Sequence, residues 1–231
     1  MKRLVLFLAL TAVFVVAQAQ SHQGTFSLIP KVGITLANMA NMGLNTYDGT
    51  LDSHFKAGFV GGLQGEYQAT THISVSLGAF YSMQGCRYSD YRIQVPIKVS
   101  EDEEFIGSHH HHINLDYVTV PLLVNYYATR GLAVKIGVQF ARLVNAKESR
   151  EDTPYKVNKS GVYTYGEMTQ TTKDRMEQCN KTEFSIPMGV SYEYMNVVVE
   201  ACYHLGLSKI TKGAENHNHC FTITAGYKFD L

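Results

Sequence analysis

The stretch Val118-Thr-Val-Pro-Leu-Leu-Val-Asn-Tyr126, the link Ala128-Thr-Arg-Gly131 and the stretch Leu132-Ala-Val-Lys-Ile-Gly-Val-Gln-Phe140 decide the fold class. Val118, Val120, Leu122, Val124 and Tyr126 alternate with Thr119 and Asn125. Leu132, Val134, Ile136, Val138 and Phe140 alternate with Lys135, Gly137 and Gln139. Successive side chains of a strand point to opposite faces, so a period of two on both sides of a short link is a hairpin with one apolar face.

Six further runs repeat the pattern. Their apolar faces begin at Leu28, Phe59, Ile73, Phe184, Val197 and Phe221, and the last continues to Leu231. The opposite faces carry Lys31, Glu66, Lys135, Glu193, Glu200, Lys228 and Asp230. A wall that is aliphatic and aromatic on one side and charged on the other suits a strand between lipid and a polar lumen. Eight such strands of roughly ten residues each are the size of a small membrane barrel. The reading is therefore all-β: an eight-stranded antiparallel up-and-down transmembrane β-barrel.

The connections support that assignment. Three are short, at 68–72, 128–131 and 195–196, and four are long, at 38–54, 84–112, 145–182 and 209–217. All the short ones fall at one end, which is the asymmetry of outer-membrane barrels. Tyr67, Tyr81, Tyr126, Tyr203 and Tyr227 near strand ends suit aromatic girdles, although the chain has no Trp. Pro121 and Pro187 fall inside strands, and each removes a ladder donor, so a bulge or a lumen hydrogen bond is expected at both.

The first residues give an address. Met1-Lys2-Arg3 is basic, Leu4 to Val16 is apolar, and Ala17-Gln18-Ala19 has the small-x-small form of a cleavage site. Residues 1–19 read as a cleaved secretory signal peptide and 20–231 as a single barrel domain in the cell outer membrane. Lys+Arg 20 against Asp+Glu 20 provides no basic stripe, so nucleic acid is not an expected partner. Outer-membrane lipid is the expected partner, with other envelope proteins after it, and no small-molecule substrate is indicated.

The residues also carry a family resemblance. Leu115-Asp-Tyr-Val-Thr-Val-Pro-Leu-Leu-Val-Asn-Tyr-Tyr127 and Ile136-Gly-Val-Gln-Phe140 resemble the PorT-like outer-membrane β-barrels of the Bacteroidetes type. Pro30-Lys-Val-Gly-Ile34 and Phe80-Tyr-Ser-Met-Gln-Gly85 are similar to the same family. The resemblance implies a place in the envelope, where members range from secretion-system components to barrels of other roles.

Chemistry is sparse. Nucleophile-elbow, zinc-protease, phosphate-loop and dinucleotide patterns are missing from the sequence. Glu200, His204 and Ser208 share the polar face of one strand, but residues four apart lie roughly 13 Å from each other, too far for a triad. Glu193 or Asn218 would have to complete such a site from neighbouring strands. No catalytic, cofactor-binding or metal-ligating residue is assigned, and the lumen charges read as an ion-pair network filling a narrow interior. Gly58-Phe-Val-Gly-Gly-Leu-Gln-Gly65 lies within a strand and reads as small residues that ease packing.

Two features carry sharper expectations. Cys202 and Cys220 face the lumen on adjacent strands, and direct opposition would allow a disulfide. The tract Glu101-Asp-Glu-Glu104 to His109-His-His-His112 lies in a long connection and contains metal-ligand chemistry, against which stands the plain reading of a solvated loop. The leading function is a non-enzymatic outer-membrane barrel acting in surface interaction or as a subunit of an envelope assembly. The alternatives are an outer-membrane hydrolase with a lumen or rim site, and a soluble periplasmic ligand-binding barrel.

Overall fold

The computed structural model describes residues 23–95 and 103–231. Residues 1–19, read from the sequence as a signal peptide, and the acidic pair Glu101 and Asp102 lie outside the described residues. Eight long strands form the wall: β1 (Phe26–Ala40), β2 (His54–Gln68), β3 (Ile73–Arg87), β4 (Glu103–Tyr127), β5 (Leu132–Val157), β6 (Thr182–Tyr194), β7 (Val197–Lys209) and β8 (His217–Tyr227). Each pairs antiparallel with its sequence neighbours, and β8 pairs with β1 from Gly226 opposite Lys31 to His217 opposite Ala40. The ring therefore closes with no free edge in the wall, the condition for placing backbone in hydrocarbon.

Which face points outward settles the solvent of that wall. Val32, Val138 and Ile136 are 60%, 61% and 57% exposed, whereas Lys31, Lys135 and Lys228 are at most 2% exposed. A soluble ligand-binding barrel has the reverse arrangement. Asp230 departs from the expected inward set: it is exposed beyond the end of β8 and accepts a hydrogen bond from the Ser27 hydroxyl at 2.6 Å.

The short connections stand where the sequence placed them. Met195 and Asn196 form a two-residue turn with φ of 49° and 66°. That pair of left-handed residues matches the twist of the flanking strands, and Asn accepts it more easily than Met.

The long connections differ from expectation. β4 runs 25 residues and β5 runs 26, against roughly 9–11 needed to cross a bilayer. Much of 84–112 and 145–182 is therefore strand: the two staves remain paired from Glu103 opposite Val157 down to Tyr127 opposite Ala133. Tyr91–Gln94 pairs with β4 on one side, and Tyr163–Tyr165 and Thr169–Asp174 pair with β5 on the other. The result is a small sheet projecting from the long-connection end of the barrel.

Two register shifts hid this sheet from a period-two reading. Asp116 faces Asn145 while Tyr117 faces Leu143, so Val144 is the extra residue and the facing parity of β5 changes there. His109 faces Glu151 while His112 faces Ser149, so His110 and His111 oppose Arg150 alone, with His110 at φ 50°.

At Pro121 and Pro187 the expected bulges do not occur. Leu77 faces Leu122 and Phe80 faces Thr119, and Ser185 faces Gln139 and Met188 faces Ile136, so the register is constant across both gaps. That register sets Gly78 opposite Pro121 and Gly137 opposite Pro187. Near the first gap the Thr119 hydroxyl donates to the Phe80 carbonyl at 3.5 Å.

The register also separates the two lumen cysteines. Cys202 faces Thr222 and Cys220 faces His204, a two-residue offset that leaves both thiols free. Met195→Gly should stabilise the barrel by about 1 kcal/mol, because it removes a side chain from a left-handed position. Urea unfolding in detergent micelles measures the shift.

Candidate functional site

The lumen is occupied by its own side chains. Glu200 Oε2 accepts from Lys31 Nζ at 2.7 Å and from Lys135 Nζ at 2.5 Å. Lys228 Nζ lies 3.2 Å from Glu66 and 3.1 Å from Glu193. The Tyr127 hydroxyl donates to Glu66 at 2.6 Å, and Lys31 also donates to Gln64 at 2.7 Å. Six of the seven charged residues foreseen on the inner face are thus assembled into two paired clusters, which is how buried charge is tolerated. Above them an apolar cluster of Met39, Tyr88, Leu115, Tyr117, Leu143 and Ile210 fills the mouth at the long-connection end.

The residues weighed for hydrolysis are dispersed among these contacts. His204 Nε2 is 3.0 Å from the Thr222 hydroxyl, and Ser208 Oγ accepts from the Phe184 amide at 2.9 Å. Glu193 is held by Lys228, and Asn218 donates to Gln84. No member of that set reaches another as nucleophile and base.

The projecting sheet has a polar root on its inner face. His111 is 3% exposed, with Nε2 2.9 Å from Glu148 and Nδ1 3.0 Å from the Tyr91 hydroxyl. One neutral ring satisfies both contacts, donating to the carboxylate and accepting from the phenol. Tyr88 lies across the ring with centroids 4.8 Å apart, and Arg175 Nε donates to the other Glu148 oxygen at 2.5 Å. The His111 bond and the Arg175 guanidinium lower the Glu148 carboxyl to about 2, against the opposing effect of burial.

The other three histidines turn elsewhere. His109 Nδ1 meets Asp90 at 2.9 Å, His110 Nδ1 meets Glu151 at 2.9 Å, and His112 Nδ1 meets the His110 carbonyl at 2.7 Å. The hydrogen bond to Glu151 raises the His110 pKa. Among the described residues no group of three or more His, Cys, Asp or Glu side chains is placed to hold a metal ion. Residues 103–112 are strand and bulge; three of the four imidazoles serve separate carboxylates and the fourth a backbone carbonyl.

The outer face of the sheet is aromatic. Phe105 stacks on Tyr155 at 5.3 Å, Tyr47 meets Phe105 edge-on at 5.1 Å, and Tyr163 and Tyr165 lie beyond Tyr155 at 6.0 and 5.7 Å. Sequence reasoning missed this group because the rings come from four separate segments. The available signal was the Tyr163-Thr-Tyr165 alternation, which is too short to stand alone.

A closed ring, an apolar outer wall and a charged lumen point to one kind of protein, and residues 18–212 match the family described as outer membrane protein beta-barrel domain. The chain belongs to this family. It is an outer-membrane β-barrel.

Among solved structures it is similar to Ail, the attachment invasion locus protein of Yersinia pestis, at 13% identity over 90% of this chain and 99% of that one, TM-score 0.43. It is also similar to OprG of Pseudomonas aeruginosa, at 10% identity over 91% and 98%, TM-score 0.39. Neisserial surface protein A matches at 11% identity over 88% and 97%, TM-score 0.35. A comparison with curated proteins gives no match.

The barrel's two polar centres yield separate expectations. Glu200→Gln leaves Lys31 and Lys135 without a counter-charge and should cost about 3–5 kcal/mol, while replacing all three by Met should cost less than that single change. Urea unfolding in micelles compares the two variants. At the root of the sheet, a carboxyl lowered from 4.5 to about 2 contributes fully above pH 4.5 and loses that contribution as pH falls towards 2. Tyrosine near-ultraviolet circular dichroism should show an acid step in that window, and Glu148→Gln should remove it.

Proposed function

We propose that this barrel is a non-enzymatic surface-interaction protein whose projecting sheet is the contacting part. The carrying observation is the continuous pairing of β4 and β5 for more than twice the length a bilayer requires. Outer-membrane barrels keep short turns on the periplasmic side, which puts the sheet outside the cell. Ordering so much exposed backbone costs conformational entropy, and the buried root at His111, Glu148 and Arg175 offsets it. The filled lumen speaks against general diffusion, and the dispersal of Glu200, His204 and Ser208 speaks against hydrolysis.

Two finer assignments belong to the same reading. Export through cleavage after Ala19 would deliver the chain to the envelope, with Gln20 as the mature first residue. The PorT-like resemblance of Leu115–Tyr127 would place the barrel beside other envelope proteins, as a component rather than a channel.

The test is a trimmed barrel in which Asn-Gly links join Arg87 to His112 and Asn145 to Cys179. It should still insert and migrate anomalously on unheated gels, because the staves are retained. Cells displaying the full chain should attach several-fold better than cells displaying the trimmed one to polystyrene coated with polysaccharide or matrix protein. Equal attachment on every coat would sink the reading.

A further inference from the structure

The outer face of the projecting sheet contains an open cleft of ≈ 370 Å³. One wall is made by Tyr155, Tyr163 and Tyr165, of which Tyr163 and Tyr165 are 54% and 67% exposed. The other wall is polar: Arg92 makes a two-pronged contact with Asp48 at 2.9 and 2.7 Å, and His109 meets Asp90 at 2.9 Å. The floor is Gly107, which faces Thr153 across the ladder.

Gly107 has no conformational reason to be glycine, since it is not among the residues with positive φ. It has no steric reason either. A Cβ there would stand 3.6 Å from the His109 ring and 3.7 Å from Thr153 and Tyr155, which is ordinary contact. Glycine inside a strand weakens it unless something approaches the backbone closely. Here the missing side chain is what opens the cleft.

We infer that this cleft binds a neutral oligosaccharide, and the inference rests on the surface-interaction reading. A pyranose has an apolar C–H face and a rim of hydroxyls. Exposed tyrosine rings supply flat apolar faces with a polar tip, and they do so at low entropic cost. Arg92 holds Asp48 and His109 holds Asp90, yet Asp48, Arg92 and Asp90 remain 57%, 42% and 65% exposed at the side chain. Their unused lone pairs and N–H groups are thus presented to hydroxyls from a rigid frame. Two carboxylates beside a single guanidinium leave no excess of positive charge, which disfavours sulfated or phosphorylated chains. Gly107 lies eleven residues beyond Val118, or about 35 Å of strand, so headgroups of the protein's own bilayer are far below.

The test uses the full chain in phospholipid nanodiscs with cellohexaose, maltohexaose and α-mannohexaose as probes, and a heparin hexasaccharide as the anionic comparison. Saturation-transfer NMR should show saturable transfer from tyrosine protons to at least one neutral probe. Tyr165→Ala and Gly107→Val should each weaken binding at least tenfold, and Tyr165→Phe should stay within twofold. The valine is a good strand residue, so unchanged circular dichroism certifies its fold. No saturable transfer to any neutral probe, an unaffected Gly107→Val variant, or a preference for the heparin fragment would each overturn the inference. If attachment of cells still depends on the sheet, the surface-interaction reading survives that result; if attachment is also independent of the sheet, both fall.

Discussion

Every backbone N–H and C=O that enters hydrocarbon needs a partner within the protein, and this constraint organises the molecule. It requires closure, and closure is achieved where β8 returns to β1 with Cys220 opposite Ala37 and Gly226 opposite Lys31. Closure forces the side chains to divide into two populations. Those facing lipid are apolar regardless of position, and those facing inward must satisfy one another in a space only wide enough for side chains. Paired lysines and glutamates follow from that division. They are costly groups to bury, and removing one partner costs more than never having the pair.

The same constraint explains the proline sites. A ladder in lipid has no water to replace a missing donor, so each proline must sit in a register that the neighbouring residues hold. The register passes each proline unchanged, and at Gly137, opposite Pro187, a Cβ would collide with the Leu122 carbonyl of β4. The inner glycines foreseen in Gly58–Gly65 act similarly: a Cβ on Gly62 would collide with the Ala79 carbonyl of β3. Small residues are therefore a condition for close strand packing around a narrow ring.

Within the bilayer, sequence legibility was high because two solvents acted on alternate residues. Val134 and Lys135 are adjacent in sequence and differ by the whole width of the wall. Beyond the bilayer both faces of β4 and β5 meet water or protein, so the contrast between alternate residues fades. Bulges at Val144 and at His110–His111 then break the parity that remains. That is why residues 103–112 and 145–157 read as loop when they are strand. The cysteine pairing failed for a related reason: facing direction is set by parity, but register is set by the connection. The β7–β8 pairing also shifts register between Leu205 and Lys209, at the end of β7 that leads into the connection, and no local pattern announces it.

Outside the membrane the physical problem is inverted, since the sheet has edges and no lipid to shield them. Its stability must come from a local core, and the two faces divide that task. The inner face carries Tyr88, Tyr91, His111, Glu148 and Arg175 in a bonded cluster continuous with the apolar mouth of the barrel. The outer face, relieved of structural duty below Phe105, keeps its tyrosines in solvent. A stretch that needed only to be stable would have filled the gap at Gly107 and covered those rings. Their exposure on a frame anchored so firmly at its root is what the proposed contact surface requires.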